Sequence, residues 1–464
     1  MQKCRTNPSR RWGSLLWAST GLFASTVLPA SEGPHAIVGA GPGSVGGEIR
    51  LSLDGGPSGD FADFSDLFLL ETSTNLVSWG VTRSILVPST TPRPVSTSVA
   101  VGAETQFFRT PAPPAPTALP KPTGPHGVGT VSRLFSSATR NSTAMGTNRE
   151  FMVSIHYPAA PAPYSGLEHY IEPIWMFTPP RGVLFDKQYL DVLRPLNVPT
   201  NLVSHALVNA PLEGGTNQFP VLLYSHGGQY FRRDNVHKCS ELASHGFVVV
   251  SIDYYDAFFS VLPDGTPAVY DPVGDFPHIN LSNTLNDFSV LDAQFALDQI
   301  GRMAVEDPQF HGRLDLRRIG CFGWSFGGAT AANLLRIDSR VTSAVLYDAA
   351  FWAAPATKLE GLQRPFLCMN SADPPGHNPG WYQDAIDLVQ KASTDAMFFQ
   401  FAGSYHYDFT DMSLIDYPTP AQQRLNAAIT AYTVAFFRHY LMGTTEPLLN
   451  APPPDGTVVN WIKK

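Results

Sequence analysis

One stretch restricts this chain more than any other: Arg318 to Thr330, R-I-G-C-F-G-W-S-F-G-G-A-T. A β-type run, Ile319 to Phe322, enters Gly323-Trp324-Ser325-Phe326-Gly327, and Ala329 to Leu335 continues as a helix-forming segment. G-x-S-x-G between a strand and a helix is the pattern of a nucleophile elbow, where the chain reverses so sharply that the serine sits at the tip in a strained conformation. Glycines two residues before and after it are required because a Cβ there would collide with the turn. The free N–H groups of the helix start then face the serine. The pattern is short enough to arise by chance, so its surroundings decide its meaning.

Those surroundings alternate strands with helices. Phe151 to Tyr157 alternates and ends at Pro158, as a half-exposed early strand would. Phe219 to Ser225 and Phe247 to Asp253 are near-continuous apolar runs, expected of central parallel strands covered on both faces. Asn235 to Ser244 between them reads as a helix stopped at His245-Gly246. Helices are expected at Leu285–Met303 and Ala421–Leu441, and strands at Thr342–Tyr347, Pro365–Met369 and Met397–Phe401. Repeated units of this kind imply a mainly parallel sheet with helices on both faces.

The N-terminal part differs. Lys3, Arg5, Arg10 and Arg11 precede a short apolar run, Leu15 to Leu28, and small residues follow, so residues 1–31 read as an export signal. Residues 33–109 carry β-rich runs separated by Gly, Ser, Asn and Pro, suggesting a small β-sandwich-like domain that serves as a binding module or a spacer. Residues 110–125, dominated by proline, read as a semi-rigid linker. Residues 126–445 form the α/β unit and 446–464 a tail. The formal net charge of −8, without a basic stripe, argues against a nucleic-acid partner. Beyond Cys4, which precedes the apolar run, Cys239, Cys321 and Cys368 remain, and they suggest neither a disulfide framework nor a metal site.

Candidate chemistry follows from chain order. In a serine, acid, histidine series the partners of Ser325 come after it. His406, in F-A-G-S-Y-H-Y-D-F-T-D just past the last parallel strand, is the candidate base, since a loop there can return the imidazole to the serine. Asp348 and Asp373 each end a strand, and the residues alone do not choose between them. Ser225-His226-Gly227-Gly228 follows a central strand, and the N–H groups of Gly228 and Phe326 are candidates for an oxyanion hole. The aromatic loop from Tyr164 to Phe185, with Trp175, Met176 and Phe177, is a candidate wall of the substrate pocket.

Five segments in order resemble the platelet-activating-factor acetylhydrolase family: S-H-G with Tyr230, Phe231 and Arg232; L-A-S-H-G-F-V-V at Leu242; G-W-S-F-G-G-A-T; P-F-L-C-M-N-S; and G-S-Y-H-Y-D-F-T-D. The resemblance runs from about Pro220 to Met412. It implies an α/β-hydrolase fold and a serine ester hydrolase that removes short or oxidised acyl groups from phospholipid-like esters, needing no cofactor or metal. It also favours Asp348 as the acid, with Asp373 in reserve. Trp324 stands where the family commonly has histidine, and Ala350 where tryptophan is usual, with Phe351 and Trp352 beside it. A cutinase-like or polyester hydrolase, acting at a lipid or insoluble surface with the acid one strand later, is the alternative on the same fold. A non-catalytic binding protein is the more distant one.

Overall fold

Apolar runs without interruption have to be covered on both sides, and here they form the middle of a large sheet. In the computed structural model the chain divides into two units, Met1–Ala115 and Pro116–Lys464. The residues described are the strands of the first unit and, in the second, 118–142, 147–162, 165–170, 202–228, 230–254, 260–263, 267–268, 284–373, 380–415, 418–450 and 456–464. Most of the expected export signal, residues 110–117 of the linker, and the aromatic loop with Trp175, Met176 and Phe177 lie outside the described residues.

The first unit contains two antiparallel sheets. One joins β1 (Leu15–Ala18), β4 (Asp66–Ser73), β5 (Gly80–Val87) and β7 (Gln106–Arg109). The other joins β2 (Ala36–Pro42), β3 (Glu48–Asp54) and β6 (Val95–Ala100). Four residues of the apolar N-terminal run, β1, pair with β7 from Leu15 opposite Arg109 to Ala18 opposite Gln106.

The second unit is built on strands β8 (Gly127–Ser142), β9 (Thr147–Ala159), β10 (Leu167–His169), β11 (Val203–Val208), β12 (Phe219–Ser225) and β13 (Val248–Ile252). After a small ribbon, β14 (Ser260–Val261) with β15 (Pro267–Ala268), come β16 (Leu314–Trp324), β17 (Val341–Tyr347), β18 (Phe366–Asp373), β19 (Ala396–Tyr405) and β20 (Val458–Lys463). The sheet order is β10-β11-β8-β9-β13-β12-β16-β17-β18-β19-β20. From β13 to β19 all neighbours are parallel, and antiparallel partners β9 and β20 flank that block. This is the architecture of an α/β-hydrolase fold.

The helices are α1 (Val236–Ser244), α2 (Thr284–Glu306), α3 (Phe326–Ile337), α4 (Pro355–Glu360), α5 (Gly380–Lys391), α6 (Met412–Ile415) and α7 (Pro420–Met442). Strand periodicity divides the core. Val221, Leu223, Val250, Cys321, Leu346, Cys368 and Phe398 share a cluster with Leu297 and Ile300 of α2, Leu334 and Leu335 of α3, and Leu388 and Val389 of α5. The alternate residues face α7: Phe322 meets Phe437 at 6.0 Å and Phe399 meets Tyr432 at 4.7 Å between ring centroids. Helix α7 itself is set by its ends, with Thr419 capping Gln422 N–H, Pro420 in the first turn, and Gly443 left-handed at φ 72°.

The division between the units falls after Ala115, inside the segment read as a linker, and described residues beyond it bond to the second unit. Leu119 is buried and donates its N–H to the Val203 carbonyl at 2.9 Å, while Thr123 N–H donates to Glu241 at 2.8 Å. Proline composition signals an extended conformation, but an extended segment can also lie along a domain and bond to it. Within the segment 446–464, β20 pairs antiparallel with β19. The sequence reading also passed over β8 and β11.

Candidate active site

Six parallel strands, β13, β12, β16, β17, β18 and β19, end at one edge of the sheet, and four of those ends lead into candidate residues. The β12 strand is followed by His226, Gly227 and Gly228, β16 by Ser325, β17 by Asp348 and β19 by His406. Because β13 was laid down on one side of β12 and β16 on the other, the crevice lies at a reversal of strand order, where open α/β sheets collect ligands.

Ser325 has φ 55° and ψ −117°, the strained backbone of an elbow. The neighbouring strand end holds it: Ser325 N–H donates to Tyr347 O at 2.9 Å, and Ala350 N–H donates to Ser325 O at 2.9 Å. The two glycines are needed for space. A Cβ on Gly327 would lie 2.2 Å from the carbonyl oxygens of Ser225 and His226, and one on Gly323 would lie 2.3 Å from Gly327 O.

Asp348 is fully buried and also has a positive φ, 40°. Its Oδ2 faces His406 Nδ1 at 2.6 Å and accepts from Ser371 Oγ at 2.8 Å. Its Oδ1 accepts from Asn370 Nδ2 at 3.0 Å and Ser371 N–H at 3.1 Å. A buried carboxylate with this many donors is held in one orientation. Asp373 pairs in register with Tyr405, past an irregularity in the β18–β19 ladder. The hydrogen bond of the His406 ring thus goes to Asp348.

On the far side of the serine, a Cβ on Gly228 would lie 3.4 Å from Phe326 Cβ, so the two candidate oxyanion residues are neighbours. Phe326 opens α3, where its N–H has no intrahelical acceptor. His226 is structural: its Nε2 accepts from Tyr254 N–H at 3.2 Å, which leaves the proton on Nδ1, facing Gly227 O at 2.6 Å. The loop after Gly228 is anchored by two buried ion pairs. Arg232 pairs with Asp253, and Arg233 Nη1 pairs with Glu168 Oε1 at 2.8 Å. Burial alone would raise the Glu168 pKa, but Arg233, His156 and the Ser204 hydroxyl outweigh it and hold the carboxyl well below its usual range. Asp411 N–H donates to Asp234 O at 2.8 Å and Asp411 Oδ2 accepts His237 N–H at 3.1 Å, so the histidine loop and the loop before α1 are bonded to each other.

Trp324, which stands where the family commonly has histidine, is 2% exposed. Its ring packs 4.8 Å from the His406 ring. Of the neighbouring pair, Trp352 is exposed, 42% accessible and 6.4 Å from the Phe326 ring, whereas Phe351 is buried. Sequence reasoning missed the supports of the acid, Asn370 and Ser371, and missed Trp381 at the start of α5. The first two were visible only as part of P-F-L-C-M-N-S, and the third carries no local signal.

Residues 114–261 and 280–422 match the family described as platelet-activating factor acetylhydrolase, isoform II. The chain belongs to that family. It is a carboxylic-ester hydrolase with the α/β-hydrolase fold. It is 22% identical over 328 residues to a platelet-activating factor acetylhydrolase of Cavia porcellus, covering 64% of this chain and 70% of the relative. With the dog enzyme it shares 23% identity over 51% of this chain and 56% of the relative. A probable 1-alkyl-2-acetylglycerophosphocholine esterase of Arthroderma benhamiae is 27% identical over 33% of this chain and 37% of the relative. Among solved structures, the ferulic acid esterase from Streptomyces cinnamoneus has a similar fold, with TM-score 0.59 and 24% identity over 74% of this chain and 99% of that one. No helix among the described residues is long and apolar enough to cross a membrane.

Proposed function

We propose that this family member hydrolyses short or oxidised acyl esters of phospholipid-like substrates through an acyl-enzyme on Ser325. The observation that carries the reading is the buried Asp348–His406 hydrogen bond, at the same sheet edge as the strained Ser325. His406 takes the proton from Ser325 as the serine attacks the ester carbonyl. Asp348 fixes the tautomer that leaves Nε2 as the acceptor and stabilises the imidazolium. The N–H groups of Phe326 and Gly228 receive the oxyanion of the tetrahedral intermediate, and each such donor is worth about 10²–10³ in turnover. His406 returns its proton to the leaving alcohol, and water, deprotonated by the same imidazole, releases the acid. Trp352, exposed beside Phe326, offers an apolar surface to the acyl or glycerol part of the substrate. The positive N-terminus and apolar run support export, which N-terminal sequencing of the secreted protein checks.

The test is a panel of esters graded by acyl length, including an acetyl phospholipid and a polyester film, run on the parent and on Ser325→Ala. Acetyl and short-chain esters should be cleaved by the parent alone, and a fluorophosphonate probe should label Ser325. Full activity in Ser325→Ala, or preference for the film, contradicts the reading.

A further inference from the structure

The two indoles around His406 donate their N–H groups in a crossed arrangement. Trp324 Nε1, from the residue before the nucleophile, donates to the His406 carbonyl at 2.9 Å. Trp381 Nε1, from α5, donates to the Asp348 carbonyl at 3.0 Å. Both rings also pack against the imidazole. Trp324 lies at 4.8 Å with 41° between planes, and Trp381 at 5.5 Å and nearly perpendicular, 83°. Trp324 reaches further: Tyr230 stands edge-on to it at 4.9 Å, and a Cβ on Gly227 would fall 2.3 Å from its ring. One side chain therefore touches the loop after β12, the elbow and the histidine loop.

The hydrogen bond between His406 Nδ1 and Asp348, with the tether to the backbone, leaves the imidazole able to swing within its side-chain torsions. Ring neighbours oppose that swing, and bonds to the backbone carbonyls of both residues oppose drift of their loops. A buried indole N–H needs some acceptor, and core packing alone would satisfy it anywhere. Here both acceptors are the main-chain oxygens of the two residues that share the acid–base bond. An imidazolium formed against indole rings is also favoured by the aromatic quadrupole.

We propose that Trp324 and Trp381 are positioning residues, which keep Nε2 of His406 aimed at Ser325 and hold the protonated ring during acyl transfer. This inference rests on the serine mechanism proposed above. Removing one N–H while keeping an aromatic ring isolates the effect, so the variants are Trp324→Phe and Trp381→Phe, with the exposed Trp461→Phe as control and Ser325→Ala as reference. With a short-chain chromogenic ester, kcat is expected to fall about tenfold in each positioning variant, the scale of one lost oriented hydrogen bond, with KM changed less than about twofold. The low-field proton resonance of the His406–Asp348 bond should shift or broaden in both and stay in place in Trp461→Phe. Parental kcat with an unmoved resonance overturns the inference, and so does a rise in KM alone, which would make the indoles substrate contacts. If Trp324→Phe fails to fold, the half-buried Trp381→Phe decides the question by itself. Activity in Ser325→Ala refutes the serine mechanism instead, whereas an inactive Ser325→Ala beside parental tryptophan variants refutes only this inference.

Discussion

Asp348 and His406 lie 58 positions apart in the chain, yet Asp348 Oδ2 and His406 Nδ1 are 2.6 Å from each other, both residues buried. The pairing needs β17 and β19 to end at the same edge with β18 between them. It also needs the left-handed turn at Asp348, whose N–H is caught by Met369 O at 2.7 Å. The strand that separates the two residues supplies the remaining donors to the carboxylate, from Asn370 and Ser371.

Replacing Asp348 by Asn should therefore cost about 10³–10⁴ in kcat, because the amide favours the wrong imidazole tautomer. Asp373→Asn should stay within about threefold of the parent. Steady-state kinetics on a chromogenic acetyl ester separate the two. An active Asp348→Asn beside an inactive Asp373→Asn would move the acid one strand on and revive the polyester-hydrolase reading.

Gly→Ala inside a helix ordinarily stabilises by about 0.5–1 kcal/mol. At Gly327 the sign should reverse, because the added methyl meets two backbone carbonyls that cannot swing away. Gly327→Ala is expected to lower the melting temperature and to remove fluorophosphonate labelling of Ser325. Gly228→Ala meets only Phe326 Cβ at 3.4 Å and should fold normally. Equal melting temperatures for the two variants would refute the steric account.

Glu168 links acid stability to the loop after Gly228. Its folded-state pKa is depressed from the ordinary 4.5, so its stabilising contribution is present above that value and drains away as pH falls through the folded-state value. Glu168→Gln should lose about 3–5 kcal/mol at pH 7, since Arg233 is left buried without its counter-charge. Its melting temperature should then fall less steeply than the parent's below about pH 4.5. Parallel curves of melting temperature against pH would show that the pair is not the source of acid sensitivity.

Much of the sheet was legible because its strands are local. Phe219–Ser225 and Val248–Ile252 are near-continuous apolar runs, and a run without a polar face is expected to be covered on both sides. The strand β20 was not legible, since Val458–Lys463 is short, exposed at most positions, and held as a strand by pairing with β19. The docked half of the proline segment is likewise set by acceptors on remote residues, Val203 and Glu241.

At the site, the sequence alone determined the elbow, since glycine spacing and the strand-to-helix switch are properties of adjacent residues. It also put His406 past the last parallel strand, and it left Asp348 and Asp373 level until a family resemblance favoured one. Tertiary structure decided what the imidazole bonds to, because that depends on which strand ends neighbour each other and on a 40° φ at Asp348 that no local pattern announces. It also buried Trp324 against the His406 loop, and brought Trp381 to the same ring from a helix elsewhere in the chain. A side chain's type says what it can donate; only the packed fold sets the acceptor in front of it.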